Sequence, residues 1–287
     1  MMAPNIKRKI IGKTNTSLKF FFLAIVMFLL YFPILIIVIQ SFNANGQGTD
    51  FGGFTLRWYQ ELFKDDALVR AITNTITIAI LATIISTILG TLAAIGINSL
   101  NKKRRQNLLI LNNVPVLNAD VVTGVSLFFI FKFVGILVGN EFILGYGTML
   151  IAHIFFCIPY VVLSVLPKLN EVDKNLYDAA LDLGCTPRSA LTKVLIPSIS
   201  TGVLTGMFLA FTMSFDDFVI SYMVSGEEVK NFSMWLYASQ KQSGRTLAWP
   251  KAYAYNSIVS LIAILILVIY NLMSIRKQRN LRKVNLK

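Results

Sequence analysis

The sequence predicts an all-α, polytopic membrane bundle of six transmembrane helices. Three observations predict it: six apolar stretches long enough to cross a hydrocarbon core, basic residues distributed between those stretches, and three basic clusters that fall on one side. Of the 287 residues, 55% are hydrophobic and 14% charged, a balance too apolar for an ordinary soluble domain. A net charge of +13 would suit nucleic acid if it were gathered on a soluble domain. Here it lies between spans, and membrane orientation explains it better.

A span takes about 20 helical residues. The first runs from Leu18 to Ile39 and holds Pro33, which should bend it; neighbouring groups in a bundle re-satisfy the freed carbonyl. Its basic leader resembles that of a cleavable signal, but the apolar run is too long and no small-residue cleavage site follows. The others run from Ala71 to Ile97, Leu108 to Leu137, Thr148 to Leu166, Ser198 to Val224 and Tyr255 to Ile275. In the third, Pro115 should break the helix, and Asn118 or Asp120 is placed to cap the restart.

The basic clusters are Lys7, Arg8, Lys9 and Lys13 before the first span, Lys102 to Arg105 between the second and third, and Arg276, Lys277, Arg279, Arg282, Lys283 and Lys287 after the last. The positive-inside rule puts that side in the cytoplasm, and with it both termini and the connection after the fourth span. Cys157 falls in the fourth span and Cys185 in that connection, so no disulfide is expected.

On the outer side, the loop from Phe42 to Arg70 carries four glycines and then Trp58 and Tyr59, read as headgroup-level anchors leading into a short polar helix. A second outer loop, Ser225 to Ala254, holds Glu227, Glu228, Trp235, Tyr237 and Trp249. It either meets an extracytoplasmic binding protein or caps the bundle in solvent.

The connection after the fourth span is a polar insert at about residues 168–197. Leu176, Ala179, Ala180 and Leu183 recur at helical spacing and give one narrow small-residue face. Gly184 suits the left-handed residue that ends a helix, while Thr186 and Pro187 offer an N-cap and an N1 proline for a second helix running to Ile196. Two short helices with a tight elbow result, of a size that fits a groove on a partner.

Intramembrane acids are costly and tend to face a cavity or a partner. Asp216 and Asp217 lie toward the outer end of the fifth span, on adjacent helical positions, so one is expected to line a path and the other to pair or cap. Phe211, Phe215, Phe218 and Tyr222 surround them. A carboxylate beside aromatic faces offers an organic ammonium both neutralisation and cation–π attraction. A structural pair holding helices together fits the residues equally well. Asp120 is read first as a cap and second as a path residue. Lys132 either snorkels or pairs with an acid. His153, the one histidine, is read as an interhelical hydrogen-bonding residue.

The insert resembles the "EAA" loop of bacterial ABC importer permeases: Asp178, Ala179 and Ala180 precede a glycine at +6, Gly184, and a proline at +19, Pro197. A closer resemblance is carried by Gly53-Phe54-Thr55 with Trp58-Tyr59, His153 with Phe156-Cys157 and Pro159, and Ser214-Phe215-Asp216-Asp217. With these the chain is similar to the PotC-type permeases of spermidine/putrescine ABC importers over nearly its whole length. Two swaps depart from the pattern: Asp178 replaces the usual glutamate, and Val194-Leu195-Ile196-Pro197 replaces Ile-x-Leu-Pro. Both keep charge or bulk. The segment from Pro250 to Tyr255 matches poorly.

The resemblance implies one transmembrane domain of the type I, MetI-like fold, with a core at about residues 68–275. It implies a bacterial inner-membrane location, a homologous permease in a heterodimer, two cytoplasmic ATPase subunits that hold ATP and magnesium, and an external polyamine-binding protein. Asp216, Asp217, Asp120 and Tyr222 would belong to the solute path; Asp178, Ala179, Ala180, Gly184 and Pro197 would couple to the ATPase. The chain has no Gly-x-x-x-x-Gly-Lys-Ser/Thr loop, so it is expected to hydrolyse nothing, to carry no cofactor and to hold no metal. Rival readings are a same-fold permease for a phosphonate, ferric iron or an oxyanion, and an ion-coupled secondary transporter. A membrane enzyme lacks a nucleophile and base arrangement.

Overall fold

Four of the six expected spans are single helices, and two are interrupted. The computed structural model describes residues 4–46, 50–139, 144–173, 175–243 and 248–284; Lys287 lies outside them. The first span lies in α1 (Pro4–Ser41), which runs through Pro33 as one helix. A short α2 (Arg57–Leu62) follows, and the second span is α3 (Asp66–Asn98).

The third expected span divides into α4 (Lys102–Leu117) and α5 (Asp120–Val138). Pro115 does not end α4, because Asn118 still donates its N–H to the Val114 carbonyl. The expected side-chain cap is also absent: Ala119 holds the N-cap position of α5. Asp120 is the first helical residue, where its charge meets the positive end of the helix dipole. Of the two, α5 alone is long and apolar enough to cross a membrane, its 19 residues spanning about 28 Å.

The fourth span is α6 (Tyr146–Glu171). The insert follows as α7 (Asn175–Asp182), α8 (Pro187–Ala190), a π turn (Leu191–Leu195) and α9 (Ile196–Ser198). The fifth expected span is α10 (Ser200–Phe215), a non-helical break at Asp216–Phe218, and α11 (Val219–Val224). The expectation of one continuous helix with Asp216 and Asp217 on adjacent turn positions is therefore corrected. After α12 (Phe232–Ser243), α13 (Ala248–Val284) carries the sixth expected span. Among the described residues, α3, α5, α6 and the Leu18–Ser41 part of α1 are long and apolar enough to cross a membrane. Pro187–Ser198 with Ser200–Phe215 qualifies as a pair bent by 75°.

The chain forms two compact units, Asp66–Ala238 and Met1–Asp65 with Ser239–Lys287. In the larger unit, α3, α6 and α10 pack on one another. Helices in lipid gain little from hydrophobic burial and depend on close packing at small residues. Val161 of α6 shows this, sitting between Gly90 and Gly206. A Cβ at Gly90 would come within 2.7 Å of the Val161 Cβ, and one at Gly206 within 3.1 Å of its Cα.

In the smaller unit, α1 packs on α13, and the loop after α1 folds around Asn43. The Asn43 carboxamide accepts from the Asn45 and Gly52 N–H groups and donates to Gln40 Oε1 and the Asp50 carbonyl. Trp58 is buried and donates its indole N–H to the Asn43 carbonyl at 2.8 Å. The Tyr59 hydroxyl bonds Ser41 Oγ at 2.7 Å. Both rings therefore organise their own loop. Reading them as headgroup anchors missed this because the partners are chain neighbours folded back over the loop.

Candidate functional site

A cavity of about 430 Å³ opens where the fifth span breaks. Its polar wall is Asp120 and Thr123 from α5, Tyr160 from α6, Thr212 from α10, and Asp216 and Asp217 from the break. Pro115, Phe156, Met213 and Phe218 supply apolar wall. Three aspartates thus line one cavity, whose lining among the described residues contains no lysine or arginine. Fixed negative charge in a space with low-dielectric walls favours a cation.

The two adjacent aspartates divide their work. Asp216 is exposed to the cavity, at the C-cap of α10. Asp217 turns inward: its carboxylate accepts from the Ile220 N–H at 3.4 Å and the Ser221 N–H at 2.7 Å, which satisfies free donors at the start of α11. Its backbone carbonyl accepts from Asn231 Nδ2 at 2.6 Å. Asn231 in turn caps α12 by accepting from the Met234 N–H, and the neighbouring Phe232 N–H donates to Thr75 Oγ1 of α3.

His153 lies on α6 behind the break, 1% exposed. Nδ1 is 2.7 Å from Ser214 Oγ and Nε2 is 2.9 Å from Ser221 Oγ, so the ring bonds α6 to both α10 and α11. The interhelical reading of His153 matches this geometry.

Tyr222 does not line the cavity. It packs on Phe218 at 5.6 Å and on Tyr237 at 6.0 Å, and Tyr237 also packs on Phe218 at 5.3 Å. Phe211 and Phe215 stack on each other at 5.5 Å and are not among the cavity-lining residues. Sequence reasoning missed Thr123, Tyr160 and Thr212 as cavity residues. A signal existed for Tyr160: His153, Phe156 and Tyr160 follow at helical spacing, so one face of α6 carries all three.

The insert is built by its own chain. Gly184 adopts φ +86°. Its N–H donates to the Leu181 carbonyl at 2.9 Å and the Cys185 N–H to the Ala180 carbonyl at 3.0 Å. These two bonds form a Schellman termination, which requires a left-handed residue. Thr186 accepts from the Ser189 N–H and Pro187 follows at N1. Pro197 brings no N–H to the ladder, and just before it the Ile196 N–H reaches back to the Leu191 carbonyl, giving the π turn.

The expected small-residue face is split. Ala180 is buried and Leu176 half-buried, whereas Asp178, Ala179 and Gly184 are exposed and Leu183 is 86% exposed. Four apolar residues at that spacing cover more arc than a lone eight-residue helix buries against the rest of the insert. Pro197 is exposed at the elbow.

A family model described as "Binding-protein-dependent transport system inner membrane component" matches residues 86–281. The spermidine/putrescine transport system permease protein PotC of Haemophilus influenzae is 32% identical over 253 residues, covering 88% of this chain and 95% of that protein. The putrescine transport system permease protein PotI of Escherichia coli is 33% identical over 211 residues, covering 73% and 75%. Among solved structures, a bacterial ABC transporter involved in the import of the acidic polysaccharide alginate is similar at TM-score 0.69 and 17% identity, covering 93% of this chain and 98% of that one. At that identity the likeness speaks for the fold alone.

Proposed function

Because the chain belongs to the family of inner membrane components of binding-protein-dependent transport systems, we propose that it passes polyamines inward as one permease subunit of an ATP-driven importer. The observation that carries the solute is the cavity, lined by three aspartates and aromatic rings and, among the described residues, by no basic side chain. Linear organic polycations need distributed negative charge, and rings such as Phe156, Tyr160 and Phe218 add cation–π attraction. The fold does not choose the cargo, since the similar alginate importer handles an acidic polysaccharide. The names of the permeases PotC and PotI support the same choice.

Nucleotide is handled by a cytoplasmic ATPase, to which the exposed edge of the insert, Asp178, Ala179, Leu183 and Gly184, docks; Ala180 and Pro197 shape that edge from behind. A second homologous permease completes the pathway, and an external binding protein delivers the solute. Both termini and the insert lie in the cytoplasm, as the distribution of basic residues favours. Closure of the ATPases draws the inserts together and exchanges outward for inward access.

The test is uptake by vesicles holding the complete transporter. Labelled spermidine should enter only with ATP inside the ATPase compartment, with competition from putrescine and none from a phosphonate or ferric iron. Uptake driven by an ion gradient without ATP, or displaced by either of those solutes, contradicts the proposal. The isolated chain should show no ATP turnover.

A further inference from the structure

We propose that His153 is a positioning residue of the solute path, a clamp whose two ring nitrogens hold Ser214 and Ser221 so that the fifth span stays broken with Asp216 on the cavity side. The inference rests on the reading of the cavity as that path.

Neither glycine nor proline lies in Asp216–Phe218, and the local contribution to the break is the Asp217 carboxylate on the first N–H groups of α11. The two helix ends are also held from outside. Ser214 is in the last turn of α10 and Ser221 near the start of α11, and both are buried, at 2% and 0% exposure. His153 reaches both from a third helix, at 2.7 and 2.9 Å. A neutral imidazole has one donor and one acceptor nitrogen, and a serine hydroxyl serves as either, so the bridge can be fully satisfied.

The bridge also decides which aspartate faces inward. His153 Nε2 lies 3.7 Å from Asp217 Oδ2, and that oxygen accepts from the Ser221 N–H. Ser221 is thus held at its side chain by His153 and at its backbone by Asp217. Asp217 is committed to α11 and to Asn231, and Asp216, the more exposed of the two, is left to the cavity that Asp120 also lines. If the segment closed into a continuous helix, the free donors of α11 would take backbone partners, and Asp217 would lose the reason for its inward turn.

Two readouts test the clamp, and one is independent of the solute. In the assembled transporter carrying Cys185→Ser, Asp216→Cys should react readily with a charged, water-soluble thiosulfonate. The remaining cysteine, Cys157, is buried and donates to the Ala210 carbonyl. Adding His153→Ala, or Ser221→Ala with the imidazole retained, should slow that reaction at least tenfold while the subunits still co-purify. A rate that is not slowed in either variant overturns the proposal.

In uptake assays His153→Ala should raise the apparent KM for spermidine about tenfold and leave the maximal rate within about twofold. His153→Gln, which keeps an amide donor and acceptor, should recover part of the loss. Combined with Asp216→Asn it should add almost nothing, as expected for residues acting in series. Additive losses would make His153 an ordinary packing residue and overturn the clamp. Were the polyamine reading itself mistaken, the unaltered transporter would take up no spermidine, yet the thiol result would still decide the clamp.

Discussion

The helix α10 is bounded by two interruptions made in opposite ways. At its start the chain bends by 75° between Pro187–Ser198 and Ser200–Phe215, at the foot of an insert built by local chain chemistry: a left-handed Gly184, the Thr186 cap and two prolines. At its end, the break at Asp216–Phe218 depends on His153 from α6 and Asn231 before α12. The turn residues of the insert are exposed, whereas the histidine and serines that hold the break are buried. The contrast teaches what each is suited to do. An elbow stiff by itself can receive force from a partner outside the bundle, whereas a break held by remote side chains responds when the helices carrying them move. The 16 residues of α10 join the two as a rod of about 24 Å.

The comparison can be broken first at the exposed end. Leu183→Glu puts a charge at the most exposed apolar position of the insert, and docking contacts of that kind cost about 2 kcal/mol or more when lost. ATPase affinity for the permease pair should fall at least about 30-fold, while spermidine binding is retained; unchanged affinity would remove Leu183 from the docking edge. At the buried end the effect is smaller. Asp216→Asn removes one of three carboxylates, and spermidine uptake should slow about tenfold, equivalent to about 1.4 kcal/mol, with assembly and ATP turnover retained. Unchanged uptake would take Asp216 out of the path.

The smallest effect sharpens the claim that the elbow is locally encoded. Thr186→Ala deletes one N-cap, worth about 1 kcal/mol. Amide exchange at Ser189 should accelerate about fivefold, while exchange around Ser221 stays as it was. Faster exchange at Ser221 would mean that the two interruptions are not separately built.

Legibility in the sequence follows the same line. The spans were readable because each is a long apolar run, and the insert because its caps and terminator are read from residues within six positions of one another. The break was not, because the residues that hold it lie 61 and 68 positions from His153. Periodicity predicts a helix through Asp216 wherever apolar residues continue on both sides. Asp120 shows the limit from the other direction: a cap was expected, but Ala119 holds the cap position, and only the fold places Asp120 on the same cavity as Asp216 and Asp217. Likewise the bond from the Trp58 indole to the Asn43 carbonyl, 15 positions away, has no local signal in the sequence.

Coupling to an ATPase requires the elbow to be reached from the cytoplasmic side of the membrane, and the chain carries a natural reporter there. Cys185 follows Gly184 and is half-exposed, whereas Cys157, the other cysteine, is buried. In right-side-out membrane vesicles lacking the ATPase, an impermeant maleimide should leave Cys185 unmodified until the vesicles are opened, and then modify it. Modification of Cys185 in sealed vesicles would place the elbow outside, where no ATPase can dock, and would contradict the account.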